Sequence, residues 1–335
     1  MTNTNKIKLG QFFTKKDVWL KPQITDFIKK SKCTVAYDPF AGAGDLLNAV
    51  KMFRFKKYIG LDIDKNLKWI FNDSLISVPQ IPNAIIITNP PYLAKQSASR
   101  KKMDLSLYFN QSAYTDLYLI ALEKILAAQK IAVAIIPETF INSNFMRKDL
   151  LHSITILEEN PFTDTENPVC VVCFDGISKT LDKVKIYKNE IYVNDLETIN
   201  TIRISPENNV KITFNDLNGW LGLRAIDSTN DKIFINFDFK KNFKYDWAKK
   251  IKTSSRHLTL INMDLPEQQK TLLIEKANNL IYTIREQSQD ILLTPFKGNT
   301  KNGKRRRRLD FKLARAILER TYNEIYGNTR QPLLF

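Results

Sequence analysis

The sequence predicts an α/β fold, a doubly wound Rossmann-like sheet followed by a C-terminal α+β domain, and three observations carry that expectation. Short apolar, β-branched segments alternate with helical patterns from residue 33 to residue 176, as in parallel strands joined by crossover helices. The first of those strands runs into a glycine turn and then a helical stretch, the context in which such sheets bind nucleotides. Beyond about residue 178 the alternation stops, strand-like and then helix-like stretches follow, and basic residues accumulate. With 335 residues the chain has the length of two domains at ~100–200 residues each, and the expected division is 1–178 and 179–335.

Apolar residues make up 43% of the chain, enough for a sizeable core, and the net charge is +16. The excess is uneven. Residues 1–178 hold 22 Lys and Arg against 17 Asp and Glu, and residues 179–335 hold 29 against 18. A second half this basic suits a polyanionic partner such as nucleic acid, with a lysine-rich solubilising surface as the plain alternative. Cys33, Cys170 and Cys173 are an odd number in a long chain, which argues against a disulfide framework and for a reducing compartment such as the cytoplasm. Cys170 and Cys173 have metal-like spacing but lie in the apolar run Val169 to Phe174, so core packing is expected there and no metal site. No apolar run reaches ~18 residues and no signal-peptide pattern is visible, so neither a membrane span nor secretion is expected.

Taken in order, Asp17 can start a helix with Val18, Ile24, Phe27 and Ile28 on its apolar face, although Pro22 limits the first turn. Thr14 just ahead of it can cap that helix or help bind a carboxylate. Cys33 to Tyr37 reads as a strand ending in Asp38-Pro39-Phe40-Ala41-Gly42-Ala43-Gly44-Asp45. Glycines there let the backbone approach a ligand closely. Acidic flanks would repel a pyrophosphate but could hold the ammonium and hydroxyls of an amino-acid-bearing nucleoside. A second strand, Tyr58 to Leu61, ends in Asp62-Ile63-Asp64; Asp62 is placed for the two hydroxyls of a ribose and Asp64 for capping a following helix. Asp73 can accept the amino group of an adenine or simply hold a turn.

The strand Ala84 to Ile87 then delivers Thr88-Asn89-Pro90-Pro91-Tyr92-Leu93 to its carboxyl end, where open α/β sheets place their chemistry. The prolines stiffen the loop, the Asn side-chain carbonyl and its neighbouring backbone carbonyl can grip an exocyclic amino group, and the aromatic ring can stack on its base. Residues 93–113 read as a basic loop with Lys95, Arg100, Lys101 and Lys102, able to track phosphates or to stay a solvated lid. A helix from Thr115 to Ala128, a strand from Ile131 to Ile136, a helix over 143–152, and strands Ile154 to Leu157 and Val169 to Phe174 complete the unit. Phe162, in the loop between the last two strands, can stack on a displaced base opposite Tyr92 or pack in its loop. In the second half, Lys297 to Arg308 holds seven cations and no acid, ending in Lys304, Arg305, Arg306, Arg307 and Arg308; it reads as a flexible, glycine-flanked loop in contact with an anionic partner.

In this order, Gly10 to Thr14, Asp38 to Gly44, Gly60 to Asp64 and Asn89 to Tyr92 resemble the motifs of S-adenosylmethionine-dependent DNA adenine-N6 methyltransferases of the Asn-Pro-Pro-Tyr type. The resemblance covers residue 7 to about 176 and is closest to the restriction–modification class in which cofactor motifs come first and a recognition domain last. It implies a Rossmann-like methyltransferase sheet with a C-terminal target-recognition domain. It also implies S-adenosyl-L-methionine as cofactor, with Thr14 at the methionine carboxylate and Asp38, Pro39, Phe40, Ala41, Gly42 and Gly44 around the methionyl part. Asp62 would hold the ribose beside Ile63, Asp73 the adenine amino group, and Asn89 would border the same site. Asn89, Pro90 and Tyr92 would be catalytic, and Phe162 fits the second stacking aromatic by position alone.

The implied function is methyl transfer to N6 of a flipped-out adenine in double-stranded DNA by a monomer, with any cognate restriction endonuclease a separate protein. Two other readings share the motif: a ribosomal-RNA adenine or a protein-glutamine methyltransferase. A reading of another class is an inactive DNA-binding protein on a methyltransferase scaffold.

Overall fold

In the computed structural model of this chain, residues 16–162, 166–230, 232–250 and 257–327 are described. Thr14 lies outside them. The chain divides into two units, Met1–Glu197 and Thr198–Phe335.

The first unit is built on strands β1 (Val35–Asp38), β2 (Lys57–Asp62), β3 (Ile70–Phe71), β4 (Ala84–Thr88), β5 (Ala132–Pro137), β6 (Leu151–Ile156), β7 (Val169–Phe174), β8 (Lys185–Lys188) and β9 (Ile191–Asp195). They form one sheet in the order β3-β2-β1-β4-β5-β7-β6-β8-β9. Pairings from β3 to β5 are all parallel, and β7 runs antiparallel to both β5 and β6. This is the expected doubly wound α/β architecture. β4 and β7 are buried along their whole length, which explains their continuous apolar runs without alternation. Fully burying each of Ile85, Ile86 and Ile87 contributes about 1.5–3 kcal/mol. Against one face, Ile24, Phe27, Leu46 and Leu47 pack on Ile85, Ile87, Val133, Ile135 and Val171. Cys170 and Cys173 are both fully buried in β7.

Several expectations are corrected. The division moves from 178 to 197, because β8 pairs parallel to β6 and carries β9 with it into the sheet. The basic loop 93–113 contains helices Lys95–Arg100 and Ser106–Phe109. Its ends are tied by the bridge between Ala94 and Asp116 and by bonds Lys95 N to Thr115 O (2.8 Å) and Leu117 N to Leu93 O (3.1 Å). No helix follows Asp64; a turn leads directly to β3. The helix expected over 143–152 is a short 3₁₀ turn, Lys148–Leu150, after which β6 begins earlier than anticipated. The first helical stretch is split into Lys16–Trp19 and Pro22–Lys30, since Pro22 forces Lys21 into extended backbone and fits only a first helical turn.

In the second unit, β10 (Ile212–Phe214), β11 (Leu221–Arg224), β12 (Asn236–Phe239) and β13 (Leu258–Met263) form an antiparallel sheet ordered β10-β13-β11-β12. Helices Glu267–Gln287 and Phe311–Gly327 pack together, and the former also covers β12. The expected α+β character holds. The flexible cationic loop does not: Thr294–Asn299 (β14) and Arg305–Arg308 (β15) form a β-hairpin whose turn uses Gly303 at φ +78°. No described helix is long and apolar enough to cross a membrane.

Candidate active site

Chain order reverses at β1, with β2 and β3 on one side and β4 and β5 on the other. The carboxyl ends of these parallel strands therefore share one edge, and Asp38, Asp62 and Asn89 arrive there from three different strands. That edge is where a doubly wound sheet opens a crevice.

Asp38 ends β1 almost fully buried. Its Oδ1 accepts hydrogen bonds from the Thr88 hydroxyl (2.6 Å) and the Phe40 amide (3.0 Å). Burial pushes its carboxyl up to about 7; the bonds from Thr88 and Phe40 act against that rise, and the nearby Asp62 charge adds to it. An ammonium or another proton donor entering the crevice is the natural partner for such a group.

The following turn is shaped by Gly42 (φ +49°) and Gly44 (φ +87°), conformations that favour glycine. A Cβ on Gly42 would meet nothing closer than the Phe40 carbonyl at 4.0 Å, so the backbone here is open to close approach. Asp62 braces the turn from β2: its Oδ2 accepts Gly42 N–H (2.8 Å) and its Oδ1 accepts Asp64 N–H (2.9 Å). Ile63 beside it is exposed. Donors and acceptors of this kind, buried carboxylates around an open glycine turn, fit an amino-acid-bearing nucleoside such as S-adenosylmethionine.

Trp69 was not singled out by the sequence. Its Nε1–H donates to the Gly42 carbonyl (2.8 Å), and its ring lies where a Cβ on Gly44 or Gly60 would fall, at 2.7 and 2.4 Å. The helix expected after Asp64 hid it, because only the turn seen there folds the indole back onto the glycines. Tyr108 was missed for a similar reason. The helix Ser106–Phe109 brings its hydroxyl to Asp73 Oδ2 (2.8 Å), while Asp73 Oδ1 accepts Leu75 N–H (3.2 Å). Burial and then the Asp73 bond push the Tyr108 phenol up to about 12.

Asn89 is half-buried and Pro90 buried. The Tyr92 hydroxyl, with one proton, lies between two acceptors, Asn89 Oδ1 and the Ile135 carbonyl (2.6 Å). Burial holds this phenol well above its ordinary range. Phe162, seventy positions away in sequence, meets Tyr92 with ring centroids 6.2 Å apart at 62°, and Tyr118 approaches from another side at 6.5 Å. Phe162 is itself 3% exposed and packed within the sheet core. Lys95, Arg100, Lys101 and Lys102 are all exposed on the excursion that follows the motif. Of the second unit's cations, Lys304 is exposed, Arg306 and Arg308 are half-buried, and Arg305 and Arg307 are buried.

The stretch from the end of β2 through Asp73, Asn89 to Tyr92 and on to Phe162 matches a known protein family. Residues 61–164 match the Eco57I restriction-modification methylase family. The match supports a methyltransferase of restriction–modification type. Among solved structures, the chain is similar to a type I restriction–modification methyltransferase subunit from Streptococcus thermophilus (18% identity, 55% of this chain and 52% of that one, TM-score 0.35). It is also similar to the M protein of the type I restriction enzyme EcoKI (12%, 90% and 69%, TM-score 0.35) and to the type IIL restriction-modification enzyme MmeI in complex with DNA (10%, 83% and 51%, TM-score 0.38). The chain thus spans about half the length of the Streptococcus and MmeI proteins. No curated protein sequence matches it.

Proposed function

We propose that this chain is the modification enzyme of a restriction–modification system, transferring a methyl group from S-adenosylmethionine to N6 of an adenine flipped out of duplex DNA. The observation that carries the reading is the meeting of three things at one sheet edge. Asn89 follows directly on Thr88, Thr88 is hydrogen-bonded to the buried Asp38, and Tyr92 has Phe162 beside it. The Eco57I-family match over residues 61–164 supports methyl transfer of restriction–modification type.

The bound cofactor would supply an electrophilic methyl group. Asp38 would hold its ammonium, the turn from Pro39 to Gly44 would lie against its methionyl part, Asp62 would take its ribose next to Ile63, and Asp73 its adenine amino group. Thr14 would complete the carboxylate end. Asn89 Oδ1 and the Pro90 carbonyl would accept the two N6–H bonds of the target, drawing the nitrogen toward a tetrahedral geometry with its lone pair aimed at the methyl. The Tyr92 hydroxyl contacts Asn89 Oδ1 in the present arrangement, and that carbonyl keeps a second lone pair for an amino group. The Tyr92 ring would stack on the flipped base, with Phe162 beside it. No general base is required within reach, since the proton can leave after transfer.

The exposed cations Lys95, Arg100, Lys101 and Lys102, together with the basic second unit, would contact the phosphate backbone. Residues 198–335 are accordingly read as a target-recognition domain. Methyl transfer to duplex DNA, to RNA and to protein, measured side by side, tests the reading. DNA as the preferred acceptor supports it, and RNA or protein as the preferred acceptor would replace it by one of the alternatives.

A further inference from the structure

We infer that Arg306, Arg308 and His257 form a phosphate-binding face on the β14–β15 hairpin that grips the backbone of duplex DNA, while Arg305 and Arg307 serve the fold. The inference deepens the proposed function and rests on DNA being the substrate.

The arginine run is a strand, and successive side chains of a strand point to opposite faces. Burial follows that alternation: Arg305 and Arg307 are 7% and 2% exposed, and Arg306 and Arg308 are half-buried. The strand is anchored on Asp227. Arg307 N–H donates to Asp227 Oδ2 (3.1 Å), Asp227 N–H returns a bond to the Arg307 carbonyl (3.1 Å), and Ile226 bridges to Arg308. The neighbouring Ala225 amide bonds the His257 carbonyl (2.8 Å), which brings the imidazole to the same place.

On that side, Phe296 of β14 orders the charges. The Arg306 guanidinium lies over its ring, 5.0 Å from the centroid, and the His257 ring meets it edge-on at 6.0 Å. Arg306 Nε donates to the Asp227 carbonyl (2.9 Å), so the guanidinium is held at its Nε, and no carboxylate among the described residues takes its Nη groups. Such a pre-set fork is suited to a phosphate.

Charge balance separates these arginines from their neighbour. Arg285 is satisfied by carboxylates, with bidentate bonds to Asp227 (2.8 and 3.0 Å) and a bond to Asp290 (2.7 Å). Among the described residues no carboxylate pairs with Arg306 or Arg308, and Arg308 Nε is buried without a hydrogen-bond partner. Two half-buried, unneutralised guanidiniums side by side repel one another and call for an anion. The imidazole registers the same field: burial, then the charges of Arg306 and Arg308, hold the His257 pKa below its ordinary value. Lys297, Lys301 and Lys304 are exposed along the hairpin and its turn, extending a positive surface in the direction a backbone could run.

The test is direct binding of a fluorescent 30-base-pair duplex of mixed sequence across a salt series, using the full chain. Arg306→Ala with Arg308→Ala is expected to lower the slope of log affinity against log salt by about two contacts and to weaken binding ~10–100-fold at moderate salt. Lys56→Ala with Lys57→Ala removes equal charge at exposed positions in the first unit and serves as reference, expected to leave slope and affinity near wild type. Arg308→Gln alone, and a melting curve for each variant, guard against loss of fold. If a folded double variant binds with the slope and affinity of the reference pair, the phosphate face is wrong. A wild-type protein that binds DNA through these residues but transfers no methyl to it would retain the face and overturn the enzymatic reading. A wild-type protein that methylates DNA with an unchanged slope in the double variant would do the reverse.

Discussion

The Thr88 hydroxyl donates to Asp38 Oδ1 at 2.6 Å, joining the carboxyl ends of two neighbouring parallel strands, β1 and β4. One end leads into the glycine turn and the other into Asn89, so this bond couples the proposed cofactor side of the crevice to the proposed catalytic side. Asp38 is where the coupling can be measured.

Its folded pKa near 7 lies above the ordinary value near 3.8. The folded protein therefore binds this proton more tightly than the unfolded chain does, and cofactor-free stability falls as pH rises from about 4 to about 7. Binding a cationic ammonium has the opposite sign, because it needs the ionised carboxylate. Cofactor affinity should rise by up to about tenfold per pH unit below 7 and level off above it. Calorimetric titration with S-adenosylmethionine between pH 5.5 and 8.5 measures this. Thr88→Val removes a bond that favours ionisation and should move the profile to higher pH; Asp38→Asn should flatten it. A profile unchanged in Asp38→Asn would remove Asp38 from the cofactor.

Asn89→Ala should abolish turnover while leaving cofactor affinity within a few-fold of wild type. In the proposed mechanism Asn89 acts on the acceptor, whereas the buried carboxylates and the glycine turn act on the donor. Rapid-quench methyl transfer combined with cofactor titration separates the two. Residual turnover above a hundredth of wild type would mean that the amide oxygen is not the acceptor that matters.

Tyr92→Phe deletes the hydroxyl that now engages Asn89 Oδ1 and Ile135 but keeps the ring. Activity should stay within a few-fold of wild type. Tyr92→Ala loses the stacking surface, worth ~1–3 kcal/mol per base, and should raise the KM for DNA about five- to 150-fold at that magnitude. Equal losses in both variants would assign the work to the hydroxyl rather than to the ring.

Trp69→Ala removes an indole that packs on Gly44 and Gly60 and bonds the Gly42 carbonyl. A half-buried aromatic of this size contributes about 2 kcal/mol, so the melting temperature should fall, and the KM for cofactor should rise as the turn loosens. Trp69→Phe, which keeps most of the packing, should recover stability more than cofactor affinity. A cofactor KM untouched in both would leave Trp69 with a purely structural role.

Asp227→Ala should destabilise the second unit by about 3–5 kcal/mol, since the half-buried Arg285 would lose its bidentate partner and the strand its buried anchor. Chemical denaturation followed by tryptophan fluorescence reads this. A loss below about 1 kcal/mol would show that Asp290 alone suffices for Arg285.

Much of the first unit was legible because its signals are local. The apolar runs of β4 and β7 announce fully buried strands, and Asp38, Asp62 and Asn89 each sit where such a strand ends. What failed depended on partners distant in sequence. Residues 65–69 look helical until Trp69 is seen against Gly44 and Gly60, and the polar stretch 93–113 hides two helical turns whose purpose is to carry Tyr108 to Asp73. The domain edge slipped from 178 to 197 because β8 and β9, at one side of the sheet, are half-exposed strands whose alternation resembles that of the second unit. Lys304 to Arg308 looked like a loop because composition outweighs periodicity in a run of identical residues; only burial distinguishes Arg305 and Arg307 from Arg306 and Arg308. The proximity of Phe162 to Tyr92, by contrast, was expected from its position in the loop between the last two strands of the unit.

The most direct measurement is transfer of a labelled methyl group from S-adenosylmethionine to duplex DNA, followed by digestion and mass spectrometry of the nucleosides. The expected result is N6-methyladenine at a defined set of sites with wild-type protein and none with Asn89→Ala. Label on cytosine, or on RNA or protein but not on DNA, would contradict the assignment of Asn89 to Tyr92 as an adenine-methylating site in a DNA enzyme.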